Sequence, residues 1–176
     1  MFKKFFIGLA VVVLIFIGIV CMQPDDFKIS RSLAVAASPQ KVFDQVNDFH
    51  NWQAWSPWVK LDPNAKIKFE GPDAGLGAVF KWSGNQQVGE GSNTITESRP
   101  GELIKIKLDF LKPFQATNTA EFTFVPEGQT TIVTWSMYGK NNFVGKAMSL
   151  LMNCDKMVGG QFEKGLASLK AVVEAQ

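Results

Sequence analysis

Between Glu102 and Phe110 the chain reads ELIKIKLDF. Ile104, Ile106, Leu108 and Phe110 fall on one side of an extended backbone, and Lys105, Lys107 and Asp109 on the other. Successive side chains of a strand point to opposite faces. So regular an alternation commits the segment to a sheet with one buried face and one wet face, as antiparallel sheets have. The same period returns elsewhere. Phe27, Ile29, Leu33 and Val35 mark a strand in DFKISRSLAV. Ala120, Phe122 and Phe124 mark another, and Val133, Trp135 and Met137 a third, the two joined by a turn around Pro126-Glu127-Gly128. A short strand is expected around Ile67 and Phe69, and one carrying Val79, Phe80 and Trp82. QQVGEGSNTITESRPG reads as a polar strand closed by Pro100-Gly101.

Helices frame these strands. Ser38-Pro39 supplies an N-cap and a first-turn proline, and Val42, Phe43 and Val46 then share one helical face. At the C-terminus Phe162, Leu166, Leu169 and Val173 form an amphipathic stripe. The order is strand, helix, short helix, about six strands and a long helix. That order predicts an α+β fold in which a curved antiparallel sheet holds the long C-terminal helix, with a cleft between them suited to a ligand. The Met-rich AMSLLMNCDKM before that helix suits core filling or an adaptable lid.

The N-terminus has a different texture. MFKKFFIGLAVVVLIFIGIVCMQPDD carries Lys3 and Lys4, then an apolar run from Phe5 to Met22, then Asp25 and Asp26. As a helix the run spans ~27 Å, enough to cross a bilayer core. It lacks a small-residue cleavage pattern, and Val20 before Cys21 is a poor fit to a lipoprotein signal. The expectation is an uncleaved signal anchor over residues 1–24 and a separate domain over 25–176. The lysines would stay in the cytoplasm, placing the domain on the extracytoplasmic side of the inner membrane.

A net charge of +2 with no basic cluster beyond Lys3 and Lys4 gives no nucleic-acid footprint. Fifteen phenylalanines against one tyrosine favour an apolar interior over a hydrogen-bonding site. One histidine and two distant cysteines cannot assemble a zinc site, so neither metal nor cofactor is expected. Cys154, with no nearby His or Asp pattern, is expected to be a small buried hydrophobe. GPDAGLGA lacks the ending of a phosphate loop and leads into a strand, so it is a turn. The acid/base candidates are His50, heading the run HNWQAWSPW, and Glu90, between the glycines of VGEG. Both sides of the strand carrying Glu90 are polar, so its facing stays open.

In FHNWQAWSPW the tryptophans stand three apart, the spacing of a tight helical turn, with Pro57 preventing extension. That segment, GPDAGLGAVFKWSGN, VGEG, the VTWSM stretch with Gly139, and the closing MVGGQFEKGLASLK together resemble the polyketide cyclase/dehydrase branch of the START-like (SRPBCC) superfamily. The likeness runs over roughly residues 27 to 174. It implies a helix-grip fold around a deep apolar cavity that takes lipids, sterols, polyketides or other hydrophobic small molecules. It carries no shared catalytic motif. The candidate walls are Trp52, Trp55 and Trp58 from the run, Phe80, Trp82, Phe110, Phe122 and Trp135 on strands, and Phe162 on the last helix. The leading expectation is a membrane-anchored, non-catalytic module for a hydrophobic small molecule or lipid. Its rivals are a cyclase/dehydrase-like enzyme on an apolar substrate, and an interaction subunit docked to a membrane complex through an exposed patch between Phe143 and Met152.

Overall fold

The computed structural model describes residues 2–176. Helix α1 (Phe2–Cys21) leads by a four-residue link into β1 (Asp26–Val35). Helix α2 (Pro39–Asn47) follows, capped by Ser38, whose hydroxyl accepts from the Lys41 N–H. A 3₁₀ turn (Phe49–Asn51) leads to the short helices α3 (Trp52–Trp55) and α4 (Pro57–Leu61). Strands β2 (Lys66–Glu70), β3 (Val79–Ser83), β4 (Glu90–Arg99), β5 (Leu103–Lys112), β6 (Ala116–Glu127) and β7 (Thr130–Lys140) complete the sheet. Helices α5 (Phe143–Leu151) and α6 (Cys154–Glu174) close the chain.

All seven strands join one antiparallel sheet in the order β1-β7-β6-β5-β4-β3-β2. This is the expected α+β arrangement of a seven-stranded sheet and a long C-terminal helix. The inner face of β5 is the one its alternation marks, with Ile104 and Ile106 fully buried. The β6–β7 turn falls at Gly128-Gln129. Pro126 and Glu127 still pair with β7, so the turn is tighter than the composition implied.

The core lies between the sheet, α2, the tryptophan segment and α6. Val42, Phe43 and Val46 of α2 meet Ile104, Phe122, Phe124 and Val133 of the sheet, and Leu166, Leu169 and Val173 of α6. Gly165 lets α6 come close: a Cβ there would stand 2.7 Å from Trp135 Cζ3 and 3.0 Å from Pro57 Cδ. Charges fasten both ends of α6. Arg31 of β1 donates to Asp155 at 2.9 Å and to Glu163 at 2.7 Å. Glu174 accepts from the Ala36 N–H at 2.7 Å and pairs with Lys170.

Two expectations need correction. Cys154 is not a core residue; it sits partly exposed in the first turn of α6, a free thiol. The Met-rich segment is not core filler either. It ends α5 and begins α6, and none of its side chains is buried; α5 lies against α1 and not on the inner sheet face.

Candidate functional site

The inner face of the sheet has more length than its helices cover. Towards the Lys112 end of β5, side chains of the tryptophan segment, the sheet and α6 surround a cavity of about 190 Å³. Its walls are aromatic and aliphatic: Trp52 and Trp58 from the short helices, Ile67, Phe80, Trp82, Leu108, Phe110, Trp135 and Met137 from strands, and Val158 and Phe162 from α6. A few polar groups interrupt them, namely Gln53, Ser56, Asp62, Gln87 and Asn93.

Local sequence explains the shape. Pro57 starts α4 as its first residue, so the chain turns between Trp55 and Trp58, while the rings of Trp52 and Trp55 stay in contact at 4.9 Å. Trp52 donates its indole N–H to Val46 O at 2.9 Å, and Trp55 to Gln45 O at 3.3 Å, which fastens both to the end of α2. Gly91 on β4 provides room for Trp82. A Cβ there would come within 2.6 Å of the indole and 2.4 Å of Asp109 O. The Trp82 N–H turns to Val88 O at 3.0 Å. Trp135 stacks on Phe162 at 4.2 Å and on Phe122 at 4.8 Å. Its indole N–H is buried without a hydrogen-bond partner.

Of the nine residues named from sequence as walls, Trp52, Trp58, Phe80, Trp82, Phe110, Trp135 and Phe162 border the cavity. Trp55 and Phe122 do not reach it. They are fully buried behind Trp135, in edge contact with each other at 6.2 Å. Alternation gives the facing of Phe122 but not the depth at which the core ends, and three-residue spacing does not give the facing of Trp55. Reasoning from sequence missed Val158, Leu108 and Met137, which share a face with named walls, and the polar Asn93, whose strand has no apolar face to reveal it.

His50 and Glu90 lie away from the cavity. His50 is held on the surface, its ring stacked on Phe69 at 4.0 Å and Nδ1 2.7 Å from Asp48 Oδ1. On β4 the buried residues are Gly91, Asn93 and Ile95, so Glu90 points to the outer face, where it pairs with Lys112 at 2.6 Å. The acid/base pair considered from sequence is therefore not assembled. Among the described residues no three His, Cys, Asp or Glu side chains converge as metal ligands. In the first turn of α6, Arg31's hydrogen bond holds the Asp155 carboxyl below its usual range, so this clasp stays charged at neutral pH. A shallower depression of about 660 Å³ on the outer face, around Lys28, Glu121, Tyr138 and Lys140, is open to solvent.

Helix α1 is long and apolar enough to cross a membrane, with a hydropathy of 2.8 and almost none of it buried. A signal sequence meets the same description.

The fold has well-matched counterparts among solved structures. Truncated norcoclaurine synthase from Thalictrum flavum superposes with a TM-score of 0.62 at 17% identity, over 86% of this chain and 96% of that one. Protein CV1439 from Chromobacterium violaceum gives 0.60 at 16% identity, over 86% and 99%. A Staphylococcus aureus protein of unknown function, SA2116, gives 0.63 at 12%, over 86% and 95%. These likenesses establish the fold alone. No curated protein matches the sequence. The family described as polyketide cyclase / dehydrase and lipid transport matches residues 26–174, nearly the whole chain after α1, and the protein belongs to that family.

Proposed function

We propose that this protein is a membrane-anchored binding module, which takes up a hydrophobic small molecule or lipid between sheet and α6 and performs no chemistry on it. The observation that carries this reading is the aromatic-walled cavity, with no titratable pair assembled in it. Burial is the mechanism: each Å² of apolar ligand surface withdrawn from water contributes ~25 cal/mol. A void of ~150 Å³ is enough for one benzene ring. The space here therefore suits a ring or a short acyl stretch, and a longer ligand leaves part of itself outside. Residues 1–24 act as an uncleaved anchor and 25–176 as the domain, held on the extracytoplasmic face of the inner membrane by the charge order of Lys3, Lys4, Asp25 and Asp26. The family's description includes lipid transport, which agrees with a lipid-type ligand.

The test is native mass spectrometry of the detergent-solubilised full chain, paired with titration by an environment-sensitive hydrophobic dye. A co-purified apolar molecule, or dye uptake that the molecule displaces, is the expected result. A protein that carries nothing and takes up no dye would refute the proposal.

A further inference from the structure

The strand register locates the cavity relative to α1. Asp26, the first residue of β1, pairs with Lys140 of β7, and Gly139 pairs with Asn118 of β6. Ala116 of β6 pairs with Phe110, which in turn pairs with Gly91. Gly91 pairs with Trp82, and Trp82 with Ile67. Followed across the sheet, the end where α1 enters is thus the end that carries Phe110, Trp82 and Ile67, three walls of the cavity. Val158, a fourth, lies in the second turn of α6, just after α5.

This end is also where exposed apolar groups gather. The last residues of β5 and the link to β6 present Leu111 and Phe114 to solvent, each at least half exposed. Helix α5 touches α1, and its Lys146 pairs with Asp25 in the α1–β1 link. Asn141, just before it, donates its N–H to Asp25 O. On α5 the polar residues Gly145, Lys146 and Ser149 fall on one arc at 100° per residue. The opposite arc, centred on Val144 and Leu151, is apolar and uncovered, with Leu151 74% exposed.

We infer that α5 and the β5–β6 link rest on the bilayer that α1 crosses, so that the cavity exchanges its apolar ligand with membrane lipid directly. The inference rests on the anchor and ligand reading above. The occupant of the surface follows from continuity: α1 is the chain's one candidate span among the described residues, only four residues separate it from the sheet, and α5 lies against it. An amphipathic helix with its apolar arc free, beside a spanning helix, occupies the interface plane. The β5–β6 link is a second, separate element with exposed apolar side chains at the same end. The small void agrees with this, since a lipid tail can enter while its headgroup stays in the bilayer.

The experiment uses the full chain with Cys21→Ser and Cys154→Ser, reconstituted in phosphatidylcholine/phosphatidylglycerol nanodiscs. An NBD fluorophore is attached in turn at Ile15→Cys, Leu151→Cys, Phe114→Cys and Gln129→Cys, and quenching by nitroxide-bearing lipid is read. The expected result is quenching at Ile15, Leu151 and Phe114 and none at Gln129, on the far hairpin. Quenching at Ile15 with Leu151 and Phe114 behaving like Gln129 overturns the inference and leaves the anchor standing. Lack of quenching at Ile15 overturns the anchor reading, and the inference with it. Shielding of Leu151 from aqueous iodide without lipid quenching assigns the surface to a second copy or another protein and also overturns the inference.

Discussion

Strand β5 passes through two environments. Ile104 and Ile106 are fully buried under α2 and the C-terminal half of α6, whereas Leu108 and Phe110, on the same face of the same strand, border a void. Hydrophobicity and spacing are alike in both halves. The difference comes from what lies above them: two longer helices at one end, and at the other the short helices α3 and α4, the α4–β2 link and the first turns of α6. A dry core and an open cavity can thus be one continuous apolar face, divided by the length of its covering helices.

The contrast can be broken first at the covered end. Leu169 of α6 is fully buried there, and Leu169→Ala should cost about 2–5 kcal/mol in chemical denaturation. A loss under about 1 kcal/mol would mean that this end is not dry and close-packed. Gly165→Ala tests the boundary between the two regions. Its methyl would collide with Trp135, so about 1–3 kcal/mol is expected to be lost, together with near-ultraviolet circular dichroism from the Trp135–Phe162 stack. At the open end Phe110→Ala should cost about 1 kcal/mol of stability, since its ring is only half-buried. It should weaken hydrophobic dye binding by roughly tenfold, the equivalent of ~1.4 kcal/mol. Unchanged dye affinity would remove Phe110 from the site.

The smallest effect concerns pH. Asp155 and Glu174, at opposite ends of α6, are held below their ordinary values, Asp155 chiefly by Arg31 and Glu174 chiefly by Lys170. A lowered carboxylate stabilises the fold above its unfolded value and loses that contribution as pH falls through the folded one. Stability should therefore be flat above the ordinary values of 3.8 and 4.5 and decline below them. Asp155→Asn should flatten part of the decline in thermal melts. Both groups are exposed, so salt should blunt the effect.

How far the sequence discloses this arrangement depends on the kind of signal. Period-two alternation reveals β5, β6 and β7 and their inner faces because one face is buried and the other wet. It is silent on β4, where Gly91 and Asn93 turn inward, because Trp82 rather than a side chain of β4 fills the space there. Three-residue spacing marks the tryptophan segment as helical. It does not separate Trp55 from Trp52 and Trp58, because the separation arises where Pro57 opens a new helix and from hydrogen bonds back to Gln45 and Val46. The apolar composition around α5 suits a core filler, a lid or an exposed patch alike. Only the three-dimensional course of the chain, which sets α5 beside α1, leaves that helix outside.

The link Met22–Asp25 reaches at most about 14 Å even fully extended, and Asp25 is itself hydrogen-bonded to Asn141. If α1 is the anchor we propose, the domain has no leash on which to travel. It would then not collect cargo at one membrane and deliver it to another. It would work as a stationary berth, whose throughput depends on how many copies a membrane holds and on how quickly each one empties.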